Sequence, residues 1–161
     1  MATGRRPKPT AQVMRAENAF WQEPPGHFQV EGLAGRMAAE RARPEHLDQI
    51  RELINQGEIA SSRPDYRELA RLDWALHGVI GEAARNEVLM TTLLRLLTPF
   101  NRLWYMAMAD HGRIGNLLNE WREVLAALKK RTPAAAEKAL VEHMTAMPSV
   151  ISPVLSINST R

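Results

Sequence analysis

Apolar residues between Leu69 and Ile80 recur every three or four positions, which is the spacing of one face of an α-helix. Similar stripes occur along most of the chain, and no run of residues shows the alternation of a half-buried strand. We therefore predict an all-α protein, built as an antiparallel bundle of about six helices with short connections.

Proline and glycine residues place the ends of the predicted helices. The helices are predicted at about 28–43, 45–57, 64–84, 87–109, 114–130 and 133–147. Pro44 and Pro133 suit the first turn of a helix, and Gly57 suits the end of the second helix. Pro64 should open the third helix, and Pro99 should kink the fourth because it removes a backbone donor.

The first predicted helix has its own apolar stripe, and this stripe indicates which face should lie in the core. Its members are Val30, Leu33, Ala34, Met37 and Ala38.

With 161 residues the chain is long enough for one domain with a sizeable core. We divide it into a flexible lead-in or linker at 1–27, a helical domain at 28–147, and a low-charge C-terminal tail at 148–161.

The charge distribution argues against specific DNA binding by this chain alone. Residues 1–20 contain four basic side chains and one acidic side chain, whereas the other 141 residues carry 17 of each. A DNA-binding face should be basic, and this body is neutral.

The absence of cysteine fits a reducing cytoplasm. No stretch approaches the roughly 18 apolar residues of a membrane span, so we expect a cytoplasmic protein.

Polar residues interrupt two of the apolar faces. Asp73 and His77 lie four positions apart within the third stripe, and His143 lies on the apolar face of the last helix. A buried, unpaired carboxylate is costly, so Asp73 should have a partner, which is either His77 or a metal ion bound by both. The three residues are candidate metal ligands. The alternative is a structural Asp–His pair with a partly buried histidine.

Trp121 lies on the apolar stripe of the fifth helix and should face the same interior as Asp73, His77 and His143. Its indole nitrogen is only a hydrogen-bond donor and cannot bind a metal ion. From spacing alone, Trp121 is better interpreted as part of the core.

Three groups of segments resemble one known family in their order and spacing. They are 37–42 (MAAERA) with 44–47 (PEHL), 72–77 (LDWALH) with 83–86 (AARN), and 119–128 (NEWREVLAAL) with 136–144. Together they resemble the FCD domain, the C-terminal effector-binding and oligomerisation domain of FadR-type GntR transcriptional regulators. The resemblance covers about residues 30–147 and implies an all-α antiparallel bundle.

The resemblance also implies a ligand set. Many members of the family hold a divalent metal with one aspartate and three histidines, and Asp73, His77 and His143 match three of these positions. The fourth position falls on Trp121, while His27 aligns with an arginine that often contacts the effector. The lost ligand favours an altered, metal-free pocket. A divalent metal such as zinc, held by three residues and water, is the alternative.

We predict an effector-sensing, dimerising domain of a GntR-type regulator that binds a small organic acid with or without a divalent metal. Trp121 would form an aromatic wall of the pocket, and Arg95, Asn101 and Arg102 on the fourth helix could reach an anionic ligand. The alternative for each of these last three side chains is a solvent-exposed position.

Other functional classes can also be compared with this pattern of residues. An enzyme could activate water on a metal held by Asp73 and the two histidines, but no general base, nucleophile or phosphate-binding loop stands out. An orphan helical protein that binds a metal or ligand would also fit the pattern, and so would a ligand-free helical interaction module. We therefore predict a protein that is not an enzyme.

The regulators of this family carry a winged helix-turn-helix of about seventy residues before the sensing domain. Only about 27 residues precede the first predicted core helix here. We therefore expect either a fragment of a longer regulator or an orphan sensing domain, and DNA binding only through a domain that is absent from this chain.

Overall fold

The computed structural model describes residues 26–63, 65–98 and 116–146 of the chain, and these ranges contain helices and turns but no strand. The helices are α1 (Gly26–Arg41), α2 (Pro44–Ser62), α3 (Tyr66–Ala83), α4 (87–98), α5 (Leu117–Lys129) and α6 (Pro133–Ala146). The predicted all-α class is therefore confirmed. The kink predicted at Pro99 lies outside the described residues. Within the described ranges, no helix has the length and apolar character needed to cross a membrane.

Helix α1 lies at the centre of the packing and contacts α3, α5 and most extensively α6. Its closeness to α6 depends on glycine, since a Cβ atom on Gly35 would lie 2.9 Å from the carbonyl oxygen of Ala136. The buried face of α1 consists largely of small residues, and Leu33, predicted to face the core, is 44% exposed. Short turns join α2 to α3 and α5 to α6, so these pairs pack as helical hairpins.

Two arginine side chains fasten the ends of the helices to one another. The Arg131 guanidinium, in the turn before α6, donates to the carbonyl oxygens of Ala42 at 2.7 Å and Glu40 at 3.2 Å. Arg41 donates to the carbonyl oxygen of Ala84 at 3.0 Å. Carbonyl groups at a helix C-terminus have no partner within the helix, and these contacts satisfy some of them. The C-terminal end of α1 is thereby tied both to α3 and to the α5–α6 turn.

Helix α2 does not stop at Gly57, and that prediction was wrong. The helix continues to Ser62, with Gly57 buried inside it. A Cβ atom on Gly57 would lie 2.6 Å from Cδ2 of Leu118 and 2.8 Å from Cζ3 of Trp121. Glycine is therefore required here by the close approach of the Trp121 ring, rather than by the end of a helix.

Helix α3 begins later than predicted, whereas α2 and α6 begin as expected. The first residue of α3 is Tyr66, and Asp65 caps it by accepting a hydrogen bond from the backbone amide of Glu68 at 3.0 Å. Pro44 and Pro133 are the first helical residues of α2 and α6, because the fixed φ of proline suits the first turn.

We expect Gly57→Ala to destabilise the protein by about 1–3 kcal/mol, because the added methyl group meets the rigid Trp121 ring. Gly78→Ala in the interior of α3 is the matched control, since its Cβ meets nothing within 4 Å. The control should stabilise the protein by about 0.5–1 kcal/mol, the helix preference of alanine over glycine. Urea unfolding of both variants measures the difference, and equal effects would contradict this account of Gly57.

A candidate metal centre in the helical core

Three of the predicted site residues meet in the buried interior. Asp73 and His77 extend from α3 and His143 from α6, with residue exposures of 2%, 4% and 1%. Their four-residue spacing places Asp73 and His77 on one helical face, and that face packs toward α6. Each residue offers one atom that could bind a metal ion, and these atoms lie within 4.8 Å of one another.

Both imidazole rings turn the same nitrogen toward this point. Nε2 of His143 lies 3.3 Å from Nε2 of His77 and 3.3 Å from Oδ1 of Asp73. The ring centroids of the two histidines are 5.3 Å apart. The cluster therefore presents two imidazole nitrogens and one carboxylate oxygen to a common centre.

The opposite nitrogen of each imidazole faces a carboxylate. Nδ1 of His143 lies 2.8 Å from Oε2 of Glu120 on α5, and Nδ1 of His77 lies 3.0 Å from Oε1 of Glu31 on α1. Glu31 is fully buried, and the Glu120 side chain is 23% exposed. The approach of Glu31 to His77 has the distance of a hydrogen bond but not its alignment, so neither Glu31 oxygen has a hydrogen-bond partner among the described residues.

Glu31 was missed by the sequence analysis, although a signal for it exists. Glu31 precedes Ala34 by three positions and Ala38 by seven, so it shares a helical face with two alanines that are fully buried. Burial of a glutamate on a face of small residues is harder to predict than burial of an aspartate among leucines. Glu120 lies in the segment 119–128 that resembles the family, and no role was predicted for it.

Trp121 completes the cluster from α5. It is fully buried, and its Nε1 donates a hydrogen bond of 2.8 Å to Oδ1 of Asp73. Trp121 thus faces the interior that its spacing indicated, and it satisfies part of the hydrogen-bonding capacity of the buried carboxylate. Because indole nitrogen cannot bind a metal, the described residues offer three ligands here.

The carboxylates around the histidines favour the protonated imidazoles. Burial opposes a charge on His143, but Asp73 and Glu120 outweigh it and raise the pKa of His143 to about 10. Burial likewise opposes a charge on His77, and Glu31 nevertheless raises the pKa of His77. Burial favours the neutral acid at Asp73, yet His143 holds the pKa of Asp73 below its ordinary value. These contacts favour opposite charges on the imidazoles and on the carboxylates that face them.

Among the other predicted site residues, Arg95 is the one whose side chain the structure describes. Arg95 is exposed on α4. Asn101 and Arg102 lie outside the described residues, as does the side chain of His27. Their contact with an effector stays a prediction.

The residues present fit a divalent metal ion. A histidine that binds a metal through one nitrogen almost always pairs its other nitrogen with a carboxylate, carbonyl or water, and both histidines have a carboxylate there. Ligand atoms held tetrahedrally about 2.0–2.1 Å from zinc lie roughly 3.4 Å apart. The two distances of 3.3 Å between ligand atoms agree with that spacing. Two imidazoles and one carboxylate suit zinc and similar divalent ions.

The helical bundle is that of a class of effector-binding regulatory domains. The FCD domain profile matches residues 27–146, and the chain belongs to the FCD domain family. The identification from sequence, as the FCD domain of GntR-type regulators, is confirmed.

Two curated relatives show the same degree of similarity. The HTH-type transcriptional repressor RspR of Escherichia coli (strain K12) is 23% identical over 130 residues, which are 81% of this chain and 57% of that protein. The HTH-type transcriptional regulator YdfH of Shigella flexneri gives the same values. The chain thus matches little more than half the length of these relatives.

A solved structure shares the fold. The E. coli protein McbR/YncC superposes with a TM-score of 0.74 at 15% sequence identity, covering 91% of this chain and 71% of that one. At this identity the likeness supports the helical architecture and nothing about ligands.

Trp121→Phe should destabilise the protein by about 1–3 kcal/mol, because the buried Asp73 carboxylate loses a hydrogen-bond donor. Trp74→Phe is the control, since Trp74 is partly buried and its indole has no hydrogen bond to a described residue. Chemical unfolding of both variants separates loss of the donor from loss of ring volume. Similar effects of the two substitutions would show that the Trp121–Asp73 hydrogen bond contributes little.

The stability of the metal-free protein should fall as pH rises from 6.5 toward about 10. The folded protein holds the His143 proton more tightly than the unfolded chain, whose histidine pKa is near 6.5. The resulting stabilisation is complete below pH 6.5 and is lost as pH passes through the folded value. Urea unfolding in the presence of a chelator measures this slope. The slope should be smaller in His143→Gln, and an equal slope in both proteins would contradict the assignment.

Proposed function

We propose that the chain acts as the effector-sensing and dimerising domain of a GntR-type transcriptional regulator, with a divalent metal ion in its sensing site. Asp73, His77 and His143 would hold the ion. The observation that carries the proposal is the convergence of their three ligand atoms, with a carboxylate behind each imidazole. Membership in the FCD family supports the regulatory role.

The charges around the cluster support a cation in the site. Three carboxylic side chains, those of Glu31, Asp73 and Glu120, contact the two imidazoles, whereas every lysine and arginine of the described residues is exposed. An organic acid would meet negative charge here and no buried basic side chain. A bound divalent ion would supply positive charge and a coordination position for the carboxylate of an effector.

The site also joins several helices, and a sensing site requires such contacts with parts of the molecule that can move. Its polar residues come from α1, α3, α5 and α6, so a ligand that binds one arrangement of these helices better would shift the population toward it. In the complete regulator, DNA binding would belong to a separate domain, and this domain would contribute to the homodimer. We place the protein in the cytoplasm and assign it no catalytic step.

A second candidate is a metal-free helical domain in which the cluster only stabilises the core. The Trp121 N–H donated to Asp73 favours this interpretation, because it compensates part of the buried charge without any ion. The paired charges of His143, Asp73 and Glu120 do the same. The two candidates differ in what added metal does to stability.

Zinc should raise the melting temperature of protein that has been freed of metal by a chelator. A ligand that binds only the folded state stabilises it by about 2.7 kcal/mol at a concentration 100 times its Kd. The increase should disappear in His77→Ala and in Asp73→Asn, which each remove a ligand. His46→Ala is the control, since His46 lies in the first turn of α2 and caps the backbone at Arg43.

The control should lose a little basal stability but keep its full response to zinc. Mass spectrometry under native conditions then counts the ions bound per chain, and one ion is expected in the wild type. A wild-type protein whose melting temperature zinc does not change would favour the metal-free domain.

A further inference from the structure

We propose that Glu31 is a positioning residue, whose carboxylate holds His77 so that Nε2 faces the ligand-binding cluster. Glu120 performs the corresponding role for His143. This inference rests on the proposed function in that the cluster is taken to bind a metal ion. Neither glutamate is itself proposed as a ligand.

Burial of the Glu31 carboxylate costs free energy that its contacts offset only in part. Its residue exposure is 0%, and neither carboxylate oxygen has a hydrogen bond to a described residue. A buried carboxylate without full compensation destabilises a fold. The polar atom that faces it is Nδ1 of His77, 3.0 Å from Oε1. The carboxylate therefore acts on that histidine.

Each histidine has a carboxylate close to its Nδ1 atom, and the two carboxylates come from different helices. Glu31 reaches His77 from α1, and Glu120 reaches His143 from α5. In both cases the carboxylate meets Nδ1, and Nε2 of each ring points to the other. Fixing a proton on Nδ1 leaves the Nε2 lone pair for a metal and aims it. Two different helices each place a carboxylate close to Nδ1 of a histidine. This repetition is better explained by a metal-binding site than by incidental packing.

The two carboxylates should differ in importance. The Glu120 side chain is 23% exposed, so water can accept the Nδ1 proton of His143 when Glu120 is removed. Glu31 is inaccessible, so no water can take its place without rearrangement of the core. The effect of removing Glu31 should therefore exceed that of removing Glu120.

The experiment measures zinc affinity by competition with a chelator in Glu31→Gln and Glu31→Leu. Glutamine keeps an acceptor without the charge, and leucine keeps only the volume. We expect a 10–100-fold loss of affinity in Glu31→Leu, a smaller loss in Glu31→Gln, and a smaller loss again in Glu120→Gln. Glu40→Gln and Glu123→Gln are the controls on α1 and α5, since both side chains are exposed, and they should bind zinc as the wild type does.

Unfolding of the metal-free variants separates positioning from a structural role. Glu31→Gln keeps the volume and an acceptor that faces His77, so it should be about as stable as the wild type, whereas Glu31→Leu leaves the buried Nδ1 of His77 without a partner and should be less stable. Lower zinc affinity of Glu31→Gln at unchanged stability supports the proposal. Unchanged zinc affinity in Glu31→Leu overturns it, and so does a loss of affinity in Glu31→Gln fully matched by loss of stability.

Nitrogen NMR of the imidazole rings in the wild-type protein tests the same idea without any variant. In the zinc-loaded protein, both histidines should coordinate through Nε2 and carry a proton on Nδ1. Coordination of His77 through Nδ1 overturns the proposal. If the wild type binds no zinc, the proposed metal site fails. Positioning is then judged in the metal-free protein, where Glu31→Leu must change the His77 Nδ1 signal, and an unchanged signal overturns it.

Discussion

Asp73 places a carboxylate among leucine, isoleucine and alanine side chains, and the surrounding helices are arranged so that this charge is compensated. Helix α5 supplies the indole N–H of Trp121, and α6 supplies the imidazole of His143. Helix α2 adapts in turn, because Gly57 leaves the room that the Trp121 ring occupies. A buried charge that had lost one of these partners would cost several kcal/mol, so the relative positions of these helices are fixed together.

The same carboxylates serve both the metal-free and the proposed metal-bound cluster. They raise the pKa values of His77 and His143 and so favour the protonated form of the imidazoles when no ion is present. They also make each imidazole a more basic ligand. Asp73, His77 and His143 would hold a divalent ion with Nε2 atoms that carry no proton, so its binding would be stronger at higher pH, where the metal-free network is weaker. Trp121 contributes no ligand of its own to the cluster.

Local patterns predicted much of this site, and long-range packing determined the rest. Asp73 and His77 could be placed on one buried face because helical spacing is local. On α1 the predicted stripe was wrong at Leu33, which is 44% exposed, because the close approach of α1 to α6 puts alanine and glycine inside. The role of Gly57 could not be predicted either, because it depends on a tryptophan 64 positions away.

The contact between Glu31 and His77 connects the metal-binding cluster to helix α1. Helix α1 carries Glu31 and packs on α3, α5 and α6, and Arg131 and Arg41 tie its C-terminal end to the neighbouring helices. A ligand that reorients His77 must therefore act on α1 as well. In the regulators that the sequence resembles, the winged helix-turn-helix precedes this helix. In the regulator proposed above, a change in the position of α1 would be transmitted toward such a domain, provided that the ligand prefers one of the two positions.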